Sequence, residues 1–129
     1  MKKIKLDLIF ERGPGDELTG RVTYNDNLIV DQANSVQELE ENMKRLLQDF
    51  EDVHPETVDF VRFHDVYALF DDFEFLKITS IAKHAGINPG LLRQYASGVK
   101  HPSARQAKKI EETIHRLADG MRRAHVYAE

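Results

Sequence analysis

Between Lys3 and Glu11 apolar and polar positions alternate. Ile4, Leu6, Leu8 and Phe10 fall on one side at a period of two, with Lys3, Lys5, Asp7 and Glu11 opposite and Ile9 as the exception. That period predicts a half-buried strand. Arg12-Gly13-Pro14-Gly15-Asp16 has turn chemistry, because Gly supplies positive φ and Pro fixes φ. Two further strands are predicted over 18–24 and 28–32, separated by the tight-turn composition Asn25-Asp26-Asn27. The period then changes. Ser35 and Glu38 form a capping box, and Val36, Leu39, Met43, Leu46 and Phe50 recur at steps of three and four, lining one face of a helix. Pro55 cannot continue that helix, and 58–63 is predicted as a fourth strand, with Val58 and Phe60 set against Asp59.

From Asp65 onward the pattern is helical. Asp65 caps a helix reaching about residue 73, and a second helix over 79–85 is closed by Gly86. Asn88 caps a third, with Pro89 at its first position, where the missing N–H costs nothing, and Gly98 ends it. Pro102-Ser103 opens a fourth, running to about residue 119 with Gly120 at its end. The stretch from Arg122 to Tyr127 is predicted as a short terminal strand. The fold class is therefore α+β: a βββαβ unit, then an all-α unit with a possible terminal strand. The boundary is expected near His64, giving domains over 1–64 and 65–129.

With 129 residues, 41% of them hydrophobic, the chain can bury a core and is not disordered throughout. It has no cysteine, which excludes a disulfide scaffold and cysteine-based zinc sites and fits a cytoplasmic setting. No run of ~18 apolar residues is present to span a membrane. The apolar start is broken by Lys5 and Asp7 and lacks a small-residue cleavage site, so it is expected to be a strand rather than a leader.

Charge is divided along the chain. Residues 1–75 carry 8 Lys and Arg against 18 Asp and Glu, a balance of −10, while residues 76–129 carry 10 against 4, a balance of +6. Such a split points to two surfaces with different partners, nucleic acid for the basic part and a basic partner for the acidic part. The alternative is that the two parts neutralise each other.

The chemistry concentrates in Ile81-Ala82-Lys83-His84-Ala85-Gly86-Ile87-Asn88, Leu91-Leu92-Arg93-Gln94-Tyr95 and Gly98-Val99-Lys100-His101-Pro102-Ser103. Ala82 is small enough for two helices to approach, Gly86 allows a sharp turn, Ile87 is apolar within it, and Leu92 and Tyr95 anchor the following helix. Over about residues 77–117 this resembles the phage-repressor type of helix-turn-helix, whose post-recognition loop has Gly, a basic residue, then Pro-Ser. Asn88, Gly90, Arg93 and Gln94 are then expected to read bases, and Lys83, His84, Lys100, His101 and Ser103 to hold phosphates.

Joined to the βββαβ unit, this resembles the HicB-type antitoxins that carry a C-terminal helix-turn-helix. Lys2-Lys3-Ile4-Lys5, Asn34-Ser35-Val36-Gln37-Glu38-Leu39, Asp65-Val66-Tyr67, Gly86-Ile87-Asn88, Lys100-His101-Pro102-Ser103 and Lys109-Ile110-Glu111 carry the resemblance. Where many members have a Pro-Asp-Leu-Pro-Gly-type segment before the first helix, this chain has Tyr24-Asn25-Asp26-Asn27-Leu28-Ile29-Val30. The resemblance implies a degraded RNase H-like N-terminal domain that binds a HicA-like, RNA-cleaving toxin. It also implies a C-terminal domain that represses the operon as a homodimer on operator double-stranded DNA. Asp26, Asp31, Glu38, Glu40 and Glu41 are expected at the toxin, since a ribonuclease presents basic surface to phosphate.

No catalytic residue, cofactor or metal is expected. RNase H chemistry needs clustered carboxylates on two metals, and Asp7, Asp26 and Asp31 show no such spacing. The six histidines show no metal-ligand spacing on one helix. The alternative is a free-standing helix-turn-helix regulator whose N-terminal domain dimerises or senses a ligand.

Overall fold

Alternation at period two and capped amphipathic stretches become, in the computed structural model of residues 2–129, an α+β protein. Among the described residues it has one four-stranded mixed sheet and five α-helices. The chain divides into two compact units, Met1–Phe73 and Glu74–Glu129. Among the described residues no helix is long and apolar enough to cross a membrane.

The first unit contains β1 (Ile4–Arg12), β2 (Leu18–Tyr24), β3 (Asn27–Ala33), α1 (Val36–Glu51), β4 (Val58–His64) and α2 (Val66–Asp72), with a 3-10 turn at Pro55–Thr57. The sheet order is β3-β2-β1-β4, with β1 antiparallel to β2, β2 antiparallel to β3, and β1 parallel to β4. Asn25 and Asp26 take left-handed φ of 49° and 63° in the β2–β3 turn, the conformation that a two-residue hairpin requires. Leu8, Phe10, Leu18 and Val22 on one sheet face and Val36, Leu39, Met43 and Leu47 on α1 share one buried core. Gly20 lets the helix lie close: a Cβ there would stand 3.2 Å from Leu39 Cδ2.

The buried stripe of α1 differs from the predicted one in its last turns. Leu47 is buried, whereas Leu46 is half-buried and Phe50 is 76% exposed. Each helical residue turns ~100°, so steps of three, four and four from Val36 return Leu47 to the sheet, while Leu46 lies to one side. Phe50 belongs to the final turn of α1, which runs beyond the core residues.

The division of the chain falls after Phe73 rather than at residue 64, because α2 belongs to the sheet. Asp65 fastens it. Its backbone N–H donates to Phe10 O at 2.8 Å, its Oδ2 accepts from Arg12 N at 3.0 Å, and its Oδ1 caps α2 at Ala68 N at 2.7 Å. Ala68 is fully buried in the sheet's core.

The second unit contains α3 (Ile78–Ala85), α4 (Pro89–Ala96) and α5 (Ala104–Arg122), with α3 packed on both others. Ile81, Ala82, Ile87, Leu92, Tyr95 and Ile110 are buried there. The predicted terminal strand is absent. Helix α5 continues through Gly120 to Arg122, and residues 124–129 form neither helix nor strand and are exposed. A glycine inside a helix costs only about 1 kcal/mol against alanine, so Gly120 does not stop α5. The released tail pairs with no sheet edge.

Candidate nucleic-acid interface

The turn between α3 and α4 is built by three consecutive residues with different roles. Gly86 closes α3 in the left-handed region at φ 70°, its N–H turned to Ala82 O and Lys83 O. Ile87 is buried and donates its N–H to Ala82 O at 3.0 Å. Asn88 opens α4: its Oδ1 accepts from Gly90 N at 2.8 Å and Leu91 N at 3.2 Å, satisfying two N–H groups that a helix start leaves free. Arg116 of α5 secures the same turn, its Nη2 donating to His84 O at 3.0 Å.

Helix α4 has two distinct sides. Leu92 and Tyr95 are buried, as their spacing predicts. Gly90, Arg93 and Gln94 stand at i, i+3 and i+4 on the side opposite them, with Arg93 and Gln94 exposed. A Cβ on Gly90 would lie 3.1 Å from Asn88 Oδ1 and 3.9 Å from Arg93 Nη2, so the Arg93 guanidinium extends back over the bare backbone of the helix start. After α4, Gly98 takes φ 81°, and Val99 N and Lys100 N both turn back to Gln94 O at 3.1 and 3.2 Å. Lys100 and His101 are exposed in this loop, and Ser103 caps α5 with Oγ accepting from Gln106 N at 3.2 Å.

All nine residues expected at nucleic acid therefore lie in this unit: Lys83 and His84 on exposed α3 positions, four at the α4 start, and three in the α4–α5 loop. The Asn88 oxygen is engaged as a cap, which leaves Arg93 and Gln94 as the long polar side chains on the exposed side of α4. Sequence reading missed Arg105, exposed on the first turn of α5 beside this loop, and Arg116, which supports the turn. Arg105 lies two residues after the Ser103 cap, a position from which a basic side chain reaches the loop. Nothing in the sequence marks Arg116 among its charged neighbours. The unit as a whole carries 10 Lys and Arg against 5 Asp and Glu, a balance of +5, so its field attracts polyanions.

The five acidic residues of the first unit are not one cluster. Asp26 occupies the β2–β3 turn, whose Asn27 donates to Glu51 Oε1 at 2.7 Å at the end of α1. Glu38, Glu40 and Glu41 lie at the other end of that helix, and a rise of ~1.5 Å per residue puts about 15–20 Å between the two ends. Asp31 is half-buried on β3, opposite Gly20. Glu40 is held by Arg62, so its charge is already compensated inside the unit. Glu38 and Glu41 remain exposed, the latter accepting from Gln37 Nε2 at 3.4 Å. With 8 Lys and Arg against 17 Asp and Glu, this unit keeps a balance of −9.

No protein family, no curated protein and no solved structure matches the chain.

Proposed function

We propose that the chain is a sequence-specific DNA-binding repressor of the HicB antitoxin type, built as a βββαβ unit followed by an all-α helix-turn-helix unit. The observation that carries the reading is the α3–α4 pair. Its Gly86-Ile87-Asn88 turn holds α4 with Leu92 and Tyr95 buried and Gly90, Arg93 and Gln94 outward, in a unit of balance +5. Helix α4 is the recognition helix in this reading. Arg93 matches a guanine edge through its fork, and Lys83, Lys100, His101, Ser103 and Arg105 meet phosphates. Two copies on an inverted repeat give the affinity that one reader of a few base pairs lacks. The test is a footprint of the full chain on the DNA upstream of its own gene. A protected inverted repeat that disappears with Arg93→Ala supports the reading, and absence of any protected site refutes it.

The antitoxin part rests on the −9 balance of the first unit, which complements a basic ribonuclease. Inhibition of a small, basic, RNA-cleaving protein encoded next to this chain is the measurement that tests it. The Arg62–Glu40 pair favours a second reading, a free-standing regulator, since it compensates one of the acids expected at a toxin. Failure of the full chain to bind the neighbouring product, with operator binding intact, selects that second reading.

A further inference from the structure

The sheet face turned away from α1 has its own pattern. Register sets Val30, Arg21, Ile9 and Phe63 in one row across all four strands. One step along, Leu28 stands beside Thr23 and Asp7 beside Val61. The core lies on the other face, and here Leu28 is 62%, Val30 49%, Val61 40% and Phe63 46% exposed. The exposed apolar side chains thus occupy the two edges of the face, β3 and β4, with Arg21, half-buried Ile9 and Asp7 on the strands between.

The charges on this face cancel. Arg21 Nε lies 2.6 Å from Glu11 Oε1 and Lys3 Nζ lies 3.8 Å from Asp59 Oδ1, leaving Lys5 and Asp7 of opposite sign. A neutral apolar face in a unit of balance −9 offers little to a cationic partner, and two copies can meet on it without setting a net charge against a like one.

We propose that this face binds the same face of a second copy, sheet on sheet, about a two-fold axis parallel to the strands. Rotation about that axis sets β3 over the partner's β4 and keeps the rows aligned. Val30 then meets the partner's Phe63, Leu28 meets the partner's Val61, and Arg21 stands one row from the partner's Asp7. Rows are ~7 Å apart and sheets pack ~10 Å apart, within reach of these side chains. Each contact occurs twice, as an isologous interface requires.

The chain has no cysteine, so introduced thiols report the contact without background. Within one chain, positions 30 and 63 are three strand spacings apart, ~14 Å, whereas the facing pair across the interface is ~10 Å apart at Cα, too far for a direct disulfide but within reach of a short bismaleimide. Full-length protein carrying Val30→Cys with Phe63→Cys, treated at micromolar concentration with a bismaleimide too short to join the two positions within one chain, is expected to run as a covalent dimer. Either single variant should cross-link at least tenfold less. Should the double variant not fold, mixing the two single variants is expected to give the same cross-link between them. Val30→Glu and Phe63→Glu should each lower the sedimenting mass by one step of association with an unchanged circular dichroism spectrum. Arg21→Asp and Asp7→Arg should each weaken association, and together restore it. Cross-linking no greater in the double variant than in the singles overturns the interface. So does a sedimenting mass unmoved by Val30→Glu. Self-association unaffected by Val30→Glu while capture of a basic partner is lost also overturns it, and gives the face to that partner.

Discussion

Arg62 on β4 grips Glu40 on α1 with both arms of its guanidinium, Nε at 2.5 Å from Oε1 and Nη2 at 3.0 Å from Oε2. The fork fixes both oxygens of the carboxylate, and Glu40 is held in a site where its side chain is only 20% exposed. The hydrogen bond to Glu40 raises the Arg62 pKa above its ordinary value, against the opposing effect of burial. This pair pins the first half of α1 to the sheet edge opposite β3.

Loss of the pair should cost stability at neutral and alkaline pH alike. A base whose pKa is raised on folding contributes fully below its unfolded value, and the contribution is lost only as pH rises through the still higher folded value. For Arg62 that window lies above the ordinary arginine value. Glu40→Gln is expected to lower unfolding free energy by about 1 kcal/mol, the scale of a partly exposed bidentate pair. Urea titrations at pH 7 and pH 10 check this: the decrement should be the same at both, and its disappearance at pH 10 would contradict the assignment.

Association with a basic toxin should depend on Glu38 and Glu41, which are exposed, more than on Asp26 at the far end of α1. Reversing Glu38 and Glu41 to Lys is expected to slow association several-fold at low salt and less at high salt, because screening shortens the reach of exposed charges to ~3 Å at 1 M. Stopped-flow rates across a salt series decide it. An equal effect from Asp26→Lys would mean that the partner contacts the hairpin end instead.

Asn88 and Arg93 are neighbours on α4 with separable tasks. Asn88→Ala is expected to destabilise the second unit by about 1 kcal/mol through the lost cap, with Asn88→Asp largely conserving it. Arg93→Ala should leave stability unchanged and cost about 1–3 kcal/mol at one operator base pair, relaxing preference there. Denaturation midpoints and binding to single-base operator variants separate the two. A changed base preference with Asn88→Asp would return Asn88 to a reading role.

Much of this was legible because the signals are local. The Ser35, Asp65, Asn88 and Ser103 caps and the Gly86 turn all stand where residue chemistry puts them, since each acts on backbone groups within four positions. What the sequence did not yield depends on distant partners. Asp65 marks a helix start, yet its backbone bond to Phe10, 55 residues earlier, is what draws α2 into the first unit. Arg122 to Tyr127 has strand-forming residues but joins none of the described strands, and the helix before it continues instead. Glu40 and Arg62 are 22 residues apart, and nothing near either announces the other. Charge counting treated all acids as one surface, whereas α1 separates Asp26 from the three glutamates along its length.

Arg116 should act on DNA affinity without reading DNA. Its Nη2 donates to the His84 carbonyl in the last turn of α3, where helix geometry leaves oxygens without partners and a cation is favoured. That contact supports the α3–α4 turn from α5, alongside the Gly86 conformation and the Asn88 cap. Arg116→Met retains a long apolar stem while removing the donor and the charge. The expected result is a stability loss of about 1 kcal/mol in urea, the scale of one net hydrogen bond to a charged donor. Operator affinity should fall by a similar factor for every operator variant, because the turn loosens while Arg93 keeps its chemistry. Binding isotherms on matched and mismatched operators, taken with the urea midpoints, test both statements together. A selective loss at one base pair, or lower affinity at unchanged stability, would show that Arg116 touches the DNA itself.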